Sequence, residues 1–300
     1  MRAVPLFSLA VALCGMALVG NAQVPQVVAD TPIAQSLTAQ VMGDLATPSL
    51  LLAQGSDPHH AQLRPSQARA LSRADLVIWT SADLSPWLAE VLGTLAPETV
   101  MELAAVAGTH HQPFQENALV RHDHDHVGRD PHLWLNPENA RLWLGAIAAQ
   151  LAVMDPDNAA TYAENASAAQ AQISVLSQDI AALLTPAQGV GLVMHHDAYG
   201  YFADAFDLTV LGSIASGDAV DPGAARIAAL RAALAEVGAV CLFPEVNHAD
   251  AYVALVAEGQ GLRMGAPLDP AGVMLEPGPG LYAEVLRGLA QAIADCAQGD

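Results

Sequence analysis

From Asp157 to Leu184 the chain carries neither glycine nor proline, and that run governs what the rest can fold into. It is rich in Ala, Gln and Ser, and it places Ile173, Leu176, Ile180 and then Leu183 or Leu184 at helical spacing, a narrow apolar stripe on one face. At 1.5 Å of rise per residue it predicts a helix of roughly 40 Å. A helix of that length is too long for an ordinary packed element and suits a spar between two lobes.

On either side of the spar one theme is played twice. Val27 to Ala29, Leu50 to Leu52, Leu76 to Trp79 and Thr99 to Leu103 read as short apolar strands. Helices opened by Pro32, Pro65 and Ser85-Pro86 lie between them, and another starts at Pro137 after the fourth strand, proline being at home in a first helical turn. In the second half, strands at Gly191 to Met194, Val210-Leu211, Val240 to Phe243 and Leu262 to Met264 alternate with helices starting near Ala198, Asp221-Pro222, Ala249 and Leu281. Such alternation implies parallel sheets with helices on both faces. The expected fold is α/β: two (β/α)4-type lobes joined by a long rigid backbone helix, with the site in the cleft between them. The expected boundaries are a lobe over 23–155, a linker helix over 156–184 and a second lobe over 185–300. Within the first lobe, Ala104 to Asp130 has little apolar periodicity and reads as a mobile loop.

The N-terminus reads as an address. Arg2 precedes an apolar run from Leu6 to Val19 that is too short to span a bilayer. Gly20-Asn21-Ala22 offers the small residues of a cleavage site, so 1–22 is expected to be a signal peptide removed after Ala22. The mature chain keeps two cysteines, Cys241 and Cys296. Two cysteines in an oxidising compartment usually pair; two buried free thiols are the alternative. Acidic residues outnumber basic ones by 31 to 11, for a formal net charge of −20. Such a surface repels phosphate backbones and excludes nucleic acid as a natural partner.

Four polar positions fall where a strand gives way to a loop, the place where open α/β sheets hold ligands. They are His59 in Gly55-Ser-Asp-Pro-His-His60, His132 in Asp130-Pro-His-Leu-Trp-Leu-Asn-Pro137, His196 in His195-His-Asp-Ala-Tyr-Gly-Tyr-Phe202, and Asp269 in Leu268-Asp-Pro-Ala-Gly272. Three imidazoles and a carboxylate make a tetrahedral set suited to Zn²⁺. Taken singly, each His has an ordinary reading as a cap or surface residue, and Asp269 before Pro270 as a turn former. Glu245, at another strand end, reads either as a partner orienting a ligand His or as a solvated loop carboxylate.

These four motifs resemble those of the zinc-uptake solute-binding proteins of ABC importers, the periplasmic metal receptors with a rigid helical backbone. Leu63-Arg-Pro-Ser66, Ala74-Asp-Leu-Val77 and Arg263-Met-Gly265 extend the likeness over essentially the whole mature chain. The resemblance implies that His59, His132 and His196 bind metal, with Asp269 completing or shielding the site, and that Cys241 pairs with Cys296. It favours His59 over His60 and His196 over His195, and zinc over manganese. It further implies a periplasmic, non-enzymatic protein whose partners are Zn²⁺ and a membrane permease. A zinc metallochaperone is a candidate donor, and a monomer is expected. The family's zinc members carry a His- and acid-rich loop between the first two ligand motifs. Here His110, His111, His122, His124 and His126 occupy that place as a candidate auxiliary site, with solvated filler as the alternative. Two other functions stand against the receptor: a secreted zinc hydrolase, although His-Glu-x-x-His is absent, and a surface adhesin on the same fold.

Overall fold

Strand β1 (Val27–Ala29) lies at the centre of the first sheet, bonded in parallel to β2 (Ser49–Leu50) on one side and to β3 (Leu76–Trp79) on the other. β4 (Val100–Glu102) adds to β3. The computed structural model describes residues 23–115, 118–119, 128–215, 222–237, 240–248 and 250–299. The signal peptide expected over 1–22 lies outside them. No helix among the described residues is long and apolar enough to cross a membrane.

Helices α1 (Pro32–Met42), α2 (Pro65–Leu71) and α3 (Pro86–Leu92) fall between the strands, each with proline in its first turn. After α4 (Pro137–Met154) and α5 (Ala159–Leu183) the arrangement repeats. β5 (Gly191–Met194), α6 (Gly200–Phe206), β6 (Thr209–Ser213), α7 (Ala224–Leu234), β7 (Val240–Leu242), α8 (Asp250–Ala257) and β8 (Arg263–Met264) follow in order, and α9 (Leu281–Gln298) ends the fold. The sheet orders are β2-β1-β3-β4 and β6-β5-β7-β8, one topology used twice, and every strand pair is parallel.

Side chains alternate across a strand, and here the alternation sorts residues into different cores. Val27, Ala29, Leu76 and Ile78 from the first sheet, with Leu192, Met194 and Cys241 from the second, join one continuous core. Their neighbours face outward into separate layers: Val28, Val77 and Trp79 against α2 and α3, and Val193, Val240 and Leu242 against α7 and α8. The two lobes are thus backed by a shared interior.

α5 runs through that interior. The expectation that such a helix is too long to be an ordinary packed element needs correction, because α5 packs on α1, α4 and α9. It buries Tyr162, Ala166, Ala169, Ile173, Leu176 and Ile180 along one side. Polar ties fix the register of these contacts. Gln170 Nε2 donates to the Arg141 carbonyl at 2.9 Å, Asn165 Nδ2 to the Val41 carbonyl at 3.0 Å, and the Tyr162 hydroxyl to Asp155 Oδ2 at 2.8 Å. A helix held to elements of both lobes resists hinge bending between them.

Cys241 on β7 and Cys296 on α9 are bonded, 55 residues apart in sequence. Closing a loop of that length restricts the unfolded chain and stabilises the fold by up to about 4 kcal/mol. The double variant Cys241→Ala/Cys296→Ala is expected to fold but to be less stable by up to that amount, and so to unfold at a lower urea concentration. An unchanged midpoint in urea would show that the crosslink adds nothing.

The segment 104–130, expected to be a mobile loop, is held at the parts described. Pro113 bridges Arg129 in antiparallel fashion, and Asp130 N–H donates to the Gln112 carbonyl at 3.0 Å. Ala118 N–H donates to the Leu211 carbonyl on β6 at 2.9 Å. Asn139 brackets His110 through both its backbone groups, and the His111 ring lies 3.0 Å from the Ala104 carbonyl. His122, His124 and His126 lie outside the described residues.

Candidate metal centre

Three ring nitrogens from three separate loops converge between the lobes. His59 Nε2 lies 3.2 Å from His132 Nε2, and His196 Nε2 lies 3.4 Å from the same atom. One ligand atom from each ring lies within 4.8 Å of the others. The cavity they line has a volume of about 30 Å³, room for one ion, with Asp269, Glu245 and His248 also on its wall.

His59 sits in the turn beyond β2, its amide donating to Asp57 Oδ1 at 2.8 Å. Asp57 Oδ2 holds the neighbouring His60 ring at 2.8 Å. Burial would raise the Asp57 carboxyl, but the bonds from His60 and from the His59 amide outweigh it and hold it below the usual range. His60 is turned to solvent, with 63% of its side chain exposed. His196 follows β5 by two residues and faces the cavity, whereas His195 is buried with its ring stacked on His248, 4.5 Å between centroids.

His132 departs from the strand-end expectation. The chain leaves β4 at Glu102 and travels through the long 104–130 segment, so His132 precedes a 3₁₀ turn over Leu133–Leu135 that leads into α4. That turn is fixed from the other lobe. Trp134 Nε1 donates to the Pro270 carbonyl at 2.7 Å, and the Tyr282 hydroxyl donates to the Trp134 carbonyl at 2.8 Å. Gly200 matters here as well, since a Cβ at that position would come within 3.1 Å of Asp130 Oδ2.

Two buried carboxylates decide which nitrogens carry protons. His132 Nδ1 lies 2.7 Å from Asp130 Oδ1, and His196 Nδ1 lies 2.6 Å from Glu245 Oε2. An ionised carboxylate only accepts, so each Nδ1 is the donor and each Nε2 keeps its lone pair. In the neutral state the His132 and His196 lone pairs then face one another across 3.4 Å. A shared cation relieves that repulsion. A tetrahedral zinc with bonds of about 2.0–2.1 Å separates its donors by about 3.3–3.4 Å, close to both spacings present. Of the two readings of Glu245, the geometry supports the partner that orients a histidine. Asp130, its counterpart on His132, escaped the sequence reading although Asp-Pro-His put the two side by side.

The two rings differ in basicity. Burial pushes His132 well below the ordinary value of 6.5, and positive charge on His196 and His59 adds to the fall. Burial would also lower His196, but the charge and hydrogen bond of Glu245 outweigh it and raise the ring above 6.5. Asp269 has both oxygens held, Oδ1 by the Val273 amide at 3.0 Å and Oδ2 by the Met274 amide at 2.9 Å. Burial raises its carboxyl above the usual value despite those bonds. It lines the cavity but is outside the set of donor atoms within 4.8 Å of one another.

Glu245→Gln is expected to weaken Zn²⁺ binding roughly 10–100-fold, the usual cost of losing a carboxylate that orients a ligand histidine. Competition against a chelating dye measures this, and wild-type affinity would show that Glu245 does not position the ring.

Residues 27–296 match the family described as zinc-uptake complex component A, periplasmic (ZnuA). The high-affinity zinc uptake system protein ZnuA of Paracoccus denitrificans is 45% identical over 97% of this chain and 98% of its own length. A crystal structure of ZnuA superposes with a TM-score of 0.76 at 24% identity, covering 91% of this chain and 99% of that one. The laminin-binding protein of Streptococcus agalactiae, described as bifunctional with adhesin and metal-transporting activity, gives 0.75 at 21% over 90% of this chain and 100% of its own. At those identities the two structures share the two-lobe fold and carry no more than that.

Proposed function

The chain belongs to the zinc-uptake complex component A family, and from that premise we propose that it captures Zn²⁺ in the periplasm and delivers it to the permease of an ABC importer. The observation that carries the proposal is the meeting of three imidazole nitrogens at 3.2 and 3.4 Å around one small cavity. His59, His132 and His196 hold the ion in this reading. Asp269 closes the cavity or supplies a fourth donor. Zinc is cargo here, and what the chain contributes is three oriented lone pairs, two of them aimed by Asp130 and Glu245.

Residues 23–155 and 185–300 act as the lobes and 156–184 as the linker that keeps the cleft from opening widely. Residues 1–22 act in this reading as a signal peptide that directs the mature chain to the periplasm, and the mature chain works as a monomer. His110, His111, His122, His124 and His126 gather zinc or meet a donor protein, and they supply no ligand to the finished centre.

The deciding experiment is the metal content and competitive Zn²⁺ affinity of the mature protein purified without chelator. One tightly held zinc per chain is expected. Protein that emerges metal-free and fails to compete with a moderate chelator would overturn the receptor reading.

A further inference from the structure

Beside the first set of imidazoles stands a second. One ring nitrogen each from His195, His196 and His248 lies within 4.8 Å of the others. The His195 and His248 rings stack with centroids 4.5 Å apart and planes 27° from parallel, and His248 lies 5.8 Å from His196.

The placement of His248 is built into the backbone. Glu245 bridges Leu268, and Val246 N–H donates to the Leu268 carbonyl at 2.9 Å. Asn247 then takes a left-handed conformation, φ 65°, which turns the chain back on itself. The turn leaves His248 Nε2 3.7 Å from Glu245 Oε1, while the other oxygen of that carboxylate holds His196. His195 and His196 are buried, but 21% of the His248 side chain is exposed. His248 is therefore the member of the cluster nearest solvent, and it lines the same cavity as His59 and His132.

We propose that His195, His196 and His248 form a second, weaker zinc station that holds the ion as it enters or leaves the three-histidine centre. The proposal rests on the metal-binding reading given above. Three imidazoles with a carboxylate alongside suit the same borderline divalent cations, Zn²⁺ or Co²⁺. His196 belongs to both sets, so an ion at one position competes for that ring with an ion at the other. The two are successive stations. An ion that exchanges His195 and His248 for His132 and His59 while keeping His196 never passes through a fully unligated state, whose cost would slow both loading and release.

The test uses Co²⁺ alone as probe, read by visible absorption, in mature chain whose His122, His124 and His126 are Asn so that the loop does not compete. This parent is expected to bind one Co²⁺ tightly. His132→Ala disables the inner centre and should leave one weaker site with tetrahedral absorption. Adding His248→Gln to that chain should weaken the residual site by more than the roughly 10-fold that losing an outer partner costs. His248→Cys in its place should retain the metal and add a thiolate-to-cobalt charge-transfer band, which a residue that merely packs cannot produce. Residual affinity indifferent to His248→Gln, or a Cys variant without the band, overturns the second station. If the parent with His132 intact binds no metal, the receptor reading falls first. Tight binding there with an unresponsive His248 removes only this inference.

Discussion

His132→Ala is expected to abolish tight Zn²⁺ capture while leaving the chain folded. His132 Nε2 is the atom that the other two nitrogens share, at 3.2 Å from His59 and 3.4 Å from His196. Without it the ion loses the one donor that both other nitrogens approach, and with it the central bond of the centre. Outer carboxylate partners cost roughly 10–100-fold when removed, and a ligand itself must cost more, at least about 1,000-fold, or about 4 kcal/mol. His59→Ala and His196→Ala should fall in the same range. Asp269→Ala should cost less, because both its oxygens already accept backbone amides and it stands outside the converging set. The fold should tolerate the change at His132. Asp130 loses one partner, but the backbone amide of residue 132 still donates to its Oδ1 at 2.9 Å. Competitive titration with circular dichroism as a folding control reads both halves. Wild-type affinity in all three His variants would sink the assignment.

The sequence carried the fold so far because its signals are local and strong. Apolar triplets and quartets mark the strands, proline marks the helix starts, and the absence of both breakers marks α5. Boundaries slipped where pairing outlasts the strand: Leu51 and Leu52 still donate to the Ala29 and Asp30 carbonyls, at 2.8 and 3.0 Å, beyond the end of β2. The packing of α5 was hidden for another reason. Ala166 and Ala169 are buried in the shared core, and alanine looks alike in a core and on a surface. In the site, His59 and His196 were legible because each follows a strand in a recognisable motif. His248 was not, since what brings it to the cavity is a turn set by a bridge to Leu268 and by the conformation of Asn247. A histidine cluster assembled by tertiary contact leaves no spacing in the sequence to read.

The zinc affinity of the centre should fall with acid, and the fall should begin at a higher pH than an ordinary imidazole would give. The two oriented rings make opposite contributions. His132, pushed well below 6.5 by burial and by its histidine neighbours, stays neutral and ready to bind through the mildly acidic range. His196 is the ring that proton and metal contest. Burial opposes its charge, but Glu245 more than compensates and raises it above 6.5. Below that raised value the ion must displace a proton from Nε2, so affinity drops about tenfold per pH unit for this one group. The apo protein responds with the opposite sign. A raised folded value means that the charged His196–Glu245 pair stabilises the apo fold fully below about pH 6.5, and that this contribution is lost as pH rises through the folded value. Zinc reverses the dependence, because the bound state needs the neutral ring. Added Zn²⁺ should therefore raise the melting temperature strongly near pH 8, in line with roughly 4 kcal/mol at a thousandfold excess over Kd, and progressively less toward pH 5. Glu245→Gln should move that profile to lower pH, since the ring loses the carboxylate that makes it basic, even as its affinity at neutral pH drops. Thermal unfolding with and without zinc across pH 5 to 8 follows both effects. A zinc-induced shift that is flat over this range would contradict a centre built on histidine nitrogens.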